Sequence, residues 1–130
     1  MKLKRIAYVE DDPDIREVAQ IALKMVGGYE LSTFISGQQA LVHIPTLQPQ
    51  LILLDVMMPG LDGPTTLNRL REIPSARKIP VIFMTAKIQS QEVAYYKALG
   101  ALGVIGKPFD PMTLSESVQR MWLEYEQSGR

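Results

Sequence analysis

Acidic residues that follow short apolar runs are the side chains of this sequence best placed to do chemistry. Leu51-Ile52-Leu53-Leu54 runs into Asp55, and the breaker-rich segment Val56-Met57-Met58-Pro59-Gly60-Leu61-Asp62-Gly63 comes directly behind it. Branched apolar residues bounded by turn chemistry read as a buried strand, so the Asp55 carboxylate belongs at that strand's carboxyl end, on the rim of a pocket. Ile6-Ala7-Tyr8-Val9 leads in the same way into Glu10-Asp11-Asp12-Pro13. Two strand ends that aim acids at one place suggest a metal-assisted site. Carboxylates about 4 Å apart repel by roughly 4 kcal/mol at an effective dielectric of 20, and a divalent cation is the natural remedy.

The elements that must position these acids alternate along the chain, strand-like run then helical period, five times over. The first strand spans Arg5 to Val9. Asp12 is placed to cap a first helix that starts at Pro13, with Ile15, Val18, Ala19, Ala22, Met25 and Val26 on one apolar face and Gly27-Gly28 as its stop. Glu30 to Phe34 is a second strand. Ser36 with Gln39 gives a capping-box signature for a second helix, which Pro45 should end. After the Asp55 strand, Pro64 opens a third helix through Glu72, and Pro80 to Met84 reads as a fourth strand, with Thr85 at its end. A fourth helix runs from Gln91 to Leu99. Leu102 to Ile105 forms a fifth strand ahead of Lys107-Pro108-Phe109, and Asp110-Pro111 opens a last helix with Leu114, Val118, Met121, Trp122 and Tyr125 inward.

Strands separated by helices imply a parallel sheet covered on both faces, because parallel strands need long, right-handed crossovers. The fold class is therefore α/β, a doubly wound five-stranded parallel sheet. Ligands in such sheets bind beyond the carboxyl ends of the strands, where Glu10, Asp11, Asp55, Thr85 and Lys107 all fall. The 130 residues, 46% hydrophobic, suffice for one core and one domain over 1–130. Lys plus Arg and Asp plus Glu number 14 each, so no net field draws the chain to nucleic acid or to an anionic membrane, and no direct nucleic-acid binding is expected. Without cysteine there is no disulfide, thiolate metal site or cysteine nucleophile. The Ile6 to Val9 run is too short for a signal peptide or membrane span, so no membrane insertion and a cytoplasmic location are expected.

Val9-Glu10-Asp11-Asp12-Pro13, the segment Leu53 to Gly63, Met84-Thr85-Ala86, Gly100-Ala101 and Lys107-Pro108-Phe109, in this order and at these separations, resemble the receiver domain of two-component response regulators, including the stand-alone chemotaxis type. The resemblance covers essentially the whole chain and implies the flavodoxin-like strand order 2-1-3-4-5, the order already known for this class of doubly wound sheet. It implies a phospho-acceptor signalling domain, not an enzyme beyond its own phosphoryl transfer and dephosphorylation. Asp55 is then the nucleophile, becoming an aspartyl phosphate. Asp11, Asp55 and the backbone carbonyl of Met57 ligate Mg2+, with Glu10 acting largely through water. Magnesium suits an open cluster because it keeps several waters and favours a partner phosphate. Lys107 offers an ammonium and Thr85 a hydroxyl to phosphoryl oxygens. The resemblance also implies a cis Lys107-Pro108 bond. The partners implied are a histidine kinase or histidine phosphotransfer protein as donor and an unknown downstream protein target. The chain's end at Glu126 to Arg130 suggests a stand-alone regulator or relay intermediate, and a truncated regulator would look the same.

Each residue also has a plainer reading. Taken singly, Asp55 is a turn former, Lys107 a surface charge and Thr85 a β-propensity residue, and only their company makes a site. Asp12 reads first as a helix cap, His43 as a helix residue without catalytic work, and the methionines and Trp122 as core. A phosphatase of the haloacid-dehalogenase type wants a second aspartate two residues beyond its nucleophile, where this chain has Met57. A binding-only scaffold is the other rival. Val104 leans that way, because three residues before the lysine the family usually carries Tyr or Phe, whose ring reports phosphorylation. The expectation is intact phosphorylation with an output muted, or carried by backbone motion, at the face of the fourth helix, fifth strand and fifth helix. Met57 and Lys87, two beyond Asp55 and Thr85, flank the site and are expected to tune phosphoryl lifetime.

Overall fold

Register between neighbouring parallel strands decides which side chains meet. In the computed structural model, which describes residues 1–128, the strands are β1 Arg5–Val9, β2 Glu30–Phe34, β3 Leu51–Asp55, β4 Val81–Thr85 and β5 Gly103–Gly106. They form one sheet in the order β2-β1-β3-β4-β5, parallel throughout. Every residue of β3 and β4 is buried, as befits central strands covered on both faces. The expected order 2-1-3-4-5 is the order found. The last two positions of the expected 1–130 domain lie outside the described residues.

The helices are α1 Pro13–Gln20, continued by a π-helical stretch Ile21–Val26, then α2 Gly37–Leu47, α3 Gly63–Arg71, α4 Ser90–Ala98 and α5 Leu114–Gln127. Alternation along the strands divides the core into two layers. Ala7, Val9, Ile52, Leu54, Val81 and Phe83 face α2, α3 and α4 through Ala40, Ile44, Leu67, Leu70 and Tyr96. Ile6, Tyr8, Leu51, Leu53, Ile82 and Met84 face α1 and α5 through Ala19, Leu23, Leu114, Val118 and Trp122. No helix of the described residues is long and apolar enough to cross a membrane.

Several expected boundaries and faces shift for local reasons. Pro45 does not end α2, which runs on to Leu47. A proline inside a helix removes its own N–H from the ladder and crowds the carbonyl four residues back, but the last turn is held by Gln48, whose N–H donates to Ile44 O at 3.0 Å and whose side chain donates to Pro45 O and Ser75 O. Helix α5 begins at Leu114, four residues after Asp110. Asp110 instead organises a preceding turn, accepting Thr113 N–H at 3.1 Å on its carbonyl and Met112 N–H at 2.8 Å on its carboxylate. The inward stripe of the first helix is Ala19, Ala22 and Leu23, whereas Val18, Met25 and Val26 are exposed. Gly27 N–H reaches back five residues to Ala22 O at 3.1 Å, and this wider turn brings Leu23 in and carries Met25 and Val26 out of the α-helical phase. Smaller offsets place β5 at Gly103–Gly106 and α4 at Ser90–Ala98.

Helix α3 starts against the Asp55 backbone. A Cβ on Gly63 would lie 2.5 Å from Asp55 O and 2.9 Å from Val56 Cα, both backbone atoms, and Gly63 N–H donates to Val56 O at 2.9 Å. Only glycine fits this approach. Gly63→Ala is expected to destabilise the protein by about 2–3 kcal/mol by forcing the helix off the strand end, read as a lowered urea midpoint at unchanged m-value.

Candidate functional site

Val9 pairs with Leu54, Asp55 with Met84 and Thr85 with Gly106, so the carboxyl ends of β1, β3, β4 and β5 finish nearly level. The residues just past or at those ends are Glu10 and Asp11, Asp55, Thr85, and Lys107. Glu10 and Asp55 are each only 1% exposed, while Asp11 reaches solvent. One carboxylate oxygen from each of Glu10, Asp11 and Asp55 lies within 4.8 Å of the other two. Lys107 Nζ donates to Asp55 Oδ1 at 2.8 Å and to Glu10 Oε1 at 3.1 Å. Glu10 and Asp55 thus share the Lys107 ammonium, and with Asp11 beside them the excess negative charge of an all-oxygen donor set is what a hard divalent cation takes.

The charges perturb one another as burial and proximity require. Burial, then the charge of Asp55, pushes the Glu10 carboxyl up to about 7, with Lys107 and the Asp12 N–H pulling the other way. Burial alone would lower Lys107, but its hydrogen bonds to Asp55 and Glu10 outweigh that and leave it above the ordinary lysine range.

Other expected site residues take less central positions. Thr85 is buried at the end of β4, on the Phe83 side of the sheet by alternation, and its hydroxyl accepts Lys87 N–H at 3.1 Å. The Met57 side chain is 71% exposed, in the loop after β3. Asp12 caps α1, its carboxylate accepting the N–H groups of Asp14 at 2.9 Å and Ile15 at 3.1 Å. The Lys107-Pro108 bond is cis, as expected. His43 lies on α2, its ring stacked on Phe34 with centroids 5.8 Å apart.

Two residues at the site escape sequence reasoning. Arg16 Nη1 donates to Glu10 O at 2.8 Å, tying the acidic loop to α1. Tyr8, fully buried, places its hydroxyl 3.4 Å from Glu10 Oε1. The signal that could have found Tyr8 is the two-residue alternation of a strand, which sets residues 8 and 10 on one face.

The raised Glu10 pKa fixes the sign of a pH effect. The native state holds the Glu10 proton more tightly than the unfolded chain, so the contribution of this group to stability falls as pH rises from the ordinary carboxylate range through about 7. In metal-free buffer, Glu10→Gln is therefore expected to flatten the decline of the urea midpoint across this window. An equal slope in wild type and variant is the contrary result.

Residues 6–119 match the sequence model of the response regulator receiver domain. The DNA-binding dual master transcriptional regulator RpaA of Synechocystis sp. is 37% identical over 108 residues, covering 83% of this chain and 44% of that protein. The phosphate regulon transcriptional regulatory protein PhoB of Pseudomonas aeruginosa is 39% identical over 111 residues, covering 85% and 48%. The chain spans about half the length of the curated relatives it matches. Among solved structures, the chemotaxis response regulator CheY4 of Vibrio cholerae superposes with a TM-score of 0.84 at 28% identity over 92% of this chain and 99% of that one. A putative response regulator from Chloroflexus aurantiacus gives 0.83 at 30% identity over 94% and 99%.

These relatives correct the expectation about partners. Balanced charge argued against nucleic acid, yet RpaA, and MtrA of Mycolicibacterium smegmatis at 33% identity over 116 residues, covering 89% of this chain and 49% of that protein, are named as DNA-binding regulators. Net charge speaks only for the segment over which it is counted, here about half of such a protein, and says nothing of the remainder. The expectation of partners without nucleic acid is therefore withdrawn, whereas the expected kinship holds: this chain belongs to the response regulator receiver domain family.

Proposed function

We propose that residues 1–130 act as one cytoplasmic receiver that accepts a phosphoryl group on Asp55 from a histidine kinase or phosphotransfer protein, in a magnesium-dependent reaction, and switches conformation to signal to a partner. The observation that carries this reading is the buried Asp55 at a strand end with the Lys107 ammonium 2.8 Å from its carboxylate. An Asp55 oxygen attacks phosphorus, and the P–N bond of the phosphohistidine breaks with its electron pair passing to the imidazole nitrogen, which takes up a proton. Such a transfer asks the protein mainly for positioning and charge neutralisation. Lys107 supplies its ammonium to one phosphoryl oxygen. Thr85 gives up the Lys87 N–H and turns its hydroxyl to donate to another. Asp11, Asp55 and the Met57 carbonyl would hold magnesium, with Glu10 acting through water, and the bound ion would neutralise charge on the transferring group. The domain catalyses its own phosphorylation and dephosphorylation and no other reaction.

The output side departs from the family pattern. Val104, half-buried on β5, packs against the cluster that holds Phe83 and Tyr96, and a valine has no ring to swing inward. The reading here is a muted output at the α4, β5, α5 face, or one carried by backbone motion. Amide exchange over Thr85 to Asp110, with and without a beryllofluoride mimic of the phosphoryl group, is expected to change at the site while α4 and β5 change little; strong protection changes throughout both elements would contradict it.

The primary test is incubation with magnesium and acetyl phosphate followed by intact mass, with Asp55→Asn as control. The expected result is one phosphoryl group on the wild type and none on the variant. A wild type that neither gains the group nor binds magnesium would instead be a binding scaffold.

A further inference from the structure

Beneath the acid cluster lies a hydroxyl for which the phosphoryl chemistry has no use. Tyr8 is wholly buried in the layer that contains Leu23, Leu53, Ile82 and Met84, and a phenol among such side chains keeps its hydroxyl only at a cost unless a partner is in reach. The partner is Glu10 Oε1, 3.4 Å away. The same oxygen accepts Lys107 Nζ at 3.1 Å, and Oε2 accepts the Asp12 N–H at 3.2 Å. Arg16 fixes the Glu10 carbonyl from α1. Glu10 therefore has two donors on one oxygen with very different prospects. Lys107 is a mobile ammonium on a flexible stem, shared with Asp55 and required by the phosphoryl group. The Tyr8 ring is locked in the core and stays.

We propose that Tyr8 is a positioning residue, which holds the Glu10 carboxylate toward the metal cluster when Lys107 leaves it for the phosphoryl group. The proposal rests on the function given above. A leucine or valine in this strand position would fill core volume without a hydroxyl, and Glu10 would then depend on Lys107 for a side-chain donor to Oε1. The phenol frees the lysine for transfer without stranding a buried carboxylate or letting it rotate away from the cation.

The test is calorimetric titration of the metal-free protein with MgCl2 in four forms: wild type, Tyr8→Phe, Glu10→Gln and the double variant. Tyr8→Phe is expected to weaken magnesium binding about fivefold to tenfold, in line with the net worth of one ordinary hydrogen bond, and to add nothing in the Glu10→Gln background. An unchanged affinity in Tyr8→Phe, or an equal loss in both backgrounds, overturns the proposal. A measurement without substitution stands beside it, because the hydroxyl-bearing ring carbon of Tyr8 in the wild type should shift in NMR spectra with the magnesium saturation curve; no shift at saturation also overturns it. Wild type that binds magnesium beside a Tyr8→Phe that binds it equally well sinks only the role of Tyr8. Wild type that binds no magnesium sinks the metal-dependent reading and this proposal with it.

Discussion

Parallel pairing in register forces like charges together at one edge of the sheet, and much of the site follows from that constraint. Because β1, β3, β4 and β5 finish nearly level, any acid placed just past a strand end has its neighbours chosen for it. Glu10 and Asp55 are pressed to within reach of one another under almost complete burial. Coulomb repulsion between two such groups is large enough to matter against the few kcal/mol by which a domain of this size is stable. The edge strand supplies the answer, since β5, beyond β4, ends one residue before Lys107, whose ammonium reaches both acids at once. Asp11 is left over, and with it a reason to bind a cation.

Support for this arrangement is distributed through the backbone as much as through side chains. Asp12 turns the chain from β1 into α1 by capping the helix, Arg16 reaches back from that helix to the Glu10 carbonyl, and Gly63 lets α3 begin in contact with the Asp55 carbonyl. These contacts leave the acids little freedom to relieve their repulsion by moving apart. The site is thus pre-set geometrically and unbalanced electrostatically, a combination that favours capture of a cation.

The sheet and the strand-end residues are readable in the sequence because both depend on short-range pattern. Five apolar runs, each followed by turn or cap chemistry, map onto five strands with ends shifted by one residue at most, and the charged residues come along with the ends. Helix faces are less legible. The π-helical stretch changes the angular phase after Gln20, which no hydrophobic periodicity reveals, so Met25 and Val26 fall inward by spacing and lie outward in the fold. Pro45 looks like a terminator, but tertiary contacts through Gln48 hold the turn that follows it. Tyr8 is hidden by its likeness to strand filler, and Arg16 by its place on an amphipathic helix. Partners are misjudged for another reason: a charge count over one segment has no reach beyond it.

The two-layered core gives the position of Thr85 a mechanical meaning. Glu10 and Asp55 extend the α1 and α5 side of the sheet, whereas Thr85 extends the side covered by α2, α3 and α4. A sheet is stiff in its own plane and insulates one layer of side chains from the other, so a disturbance in one layer has few routes across. The carboxyl edge is such a route. A group on Asp55 large enough to engage the Thr85 hydroxyl would stitch the two layers together at their shared seam, turning a local change of charge into a mechanical tie between helices on opposite faces of the sheet.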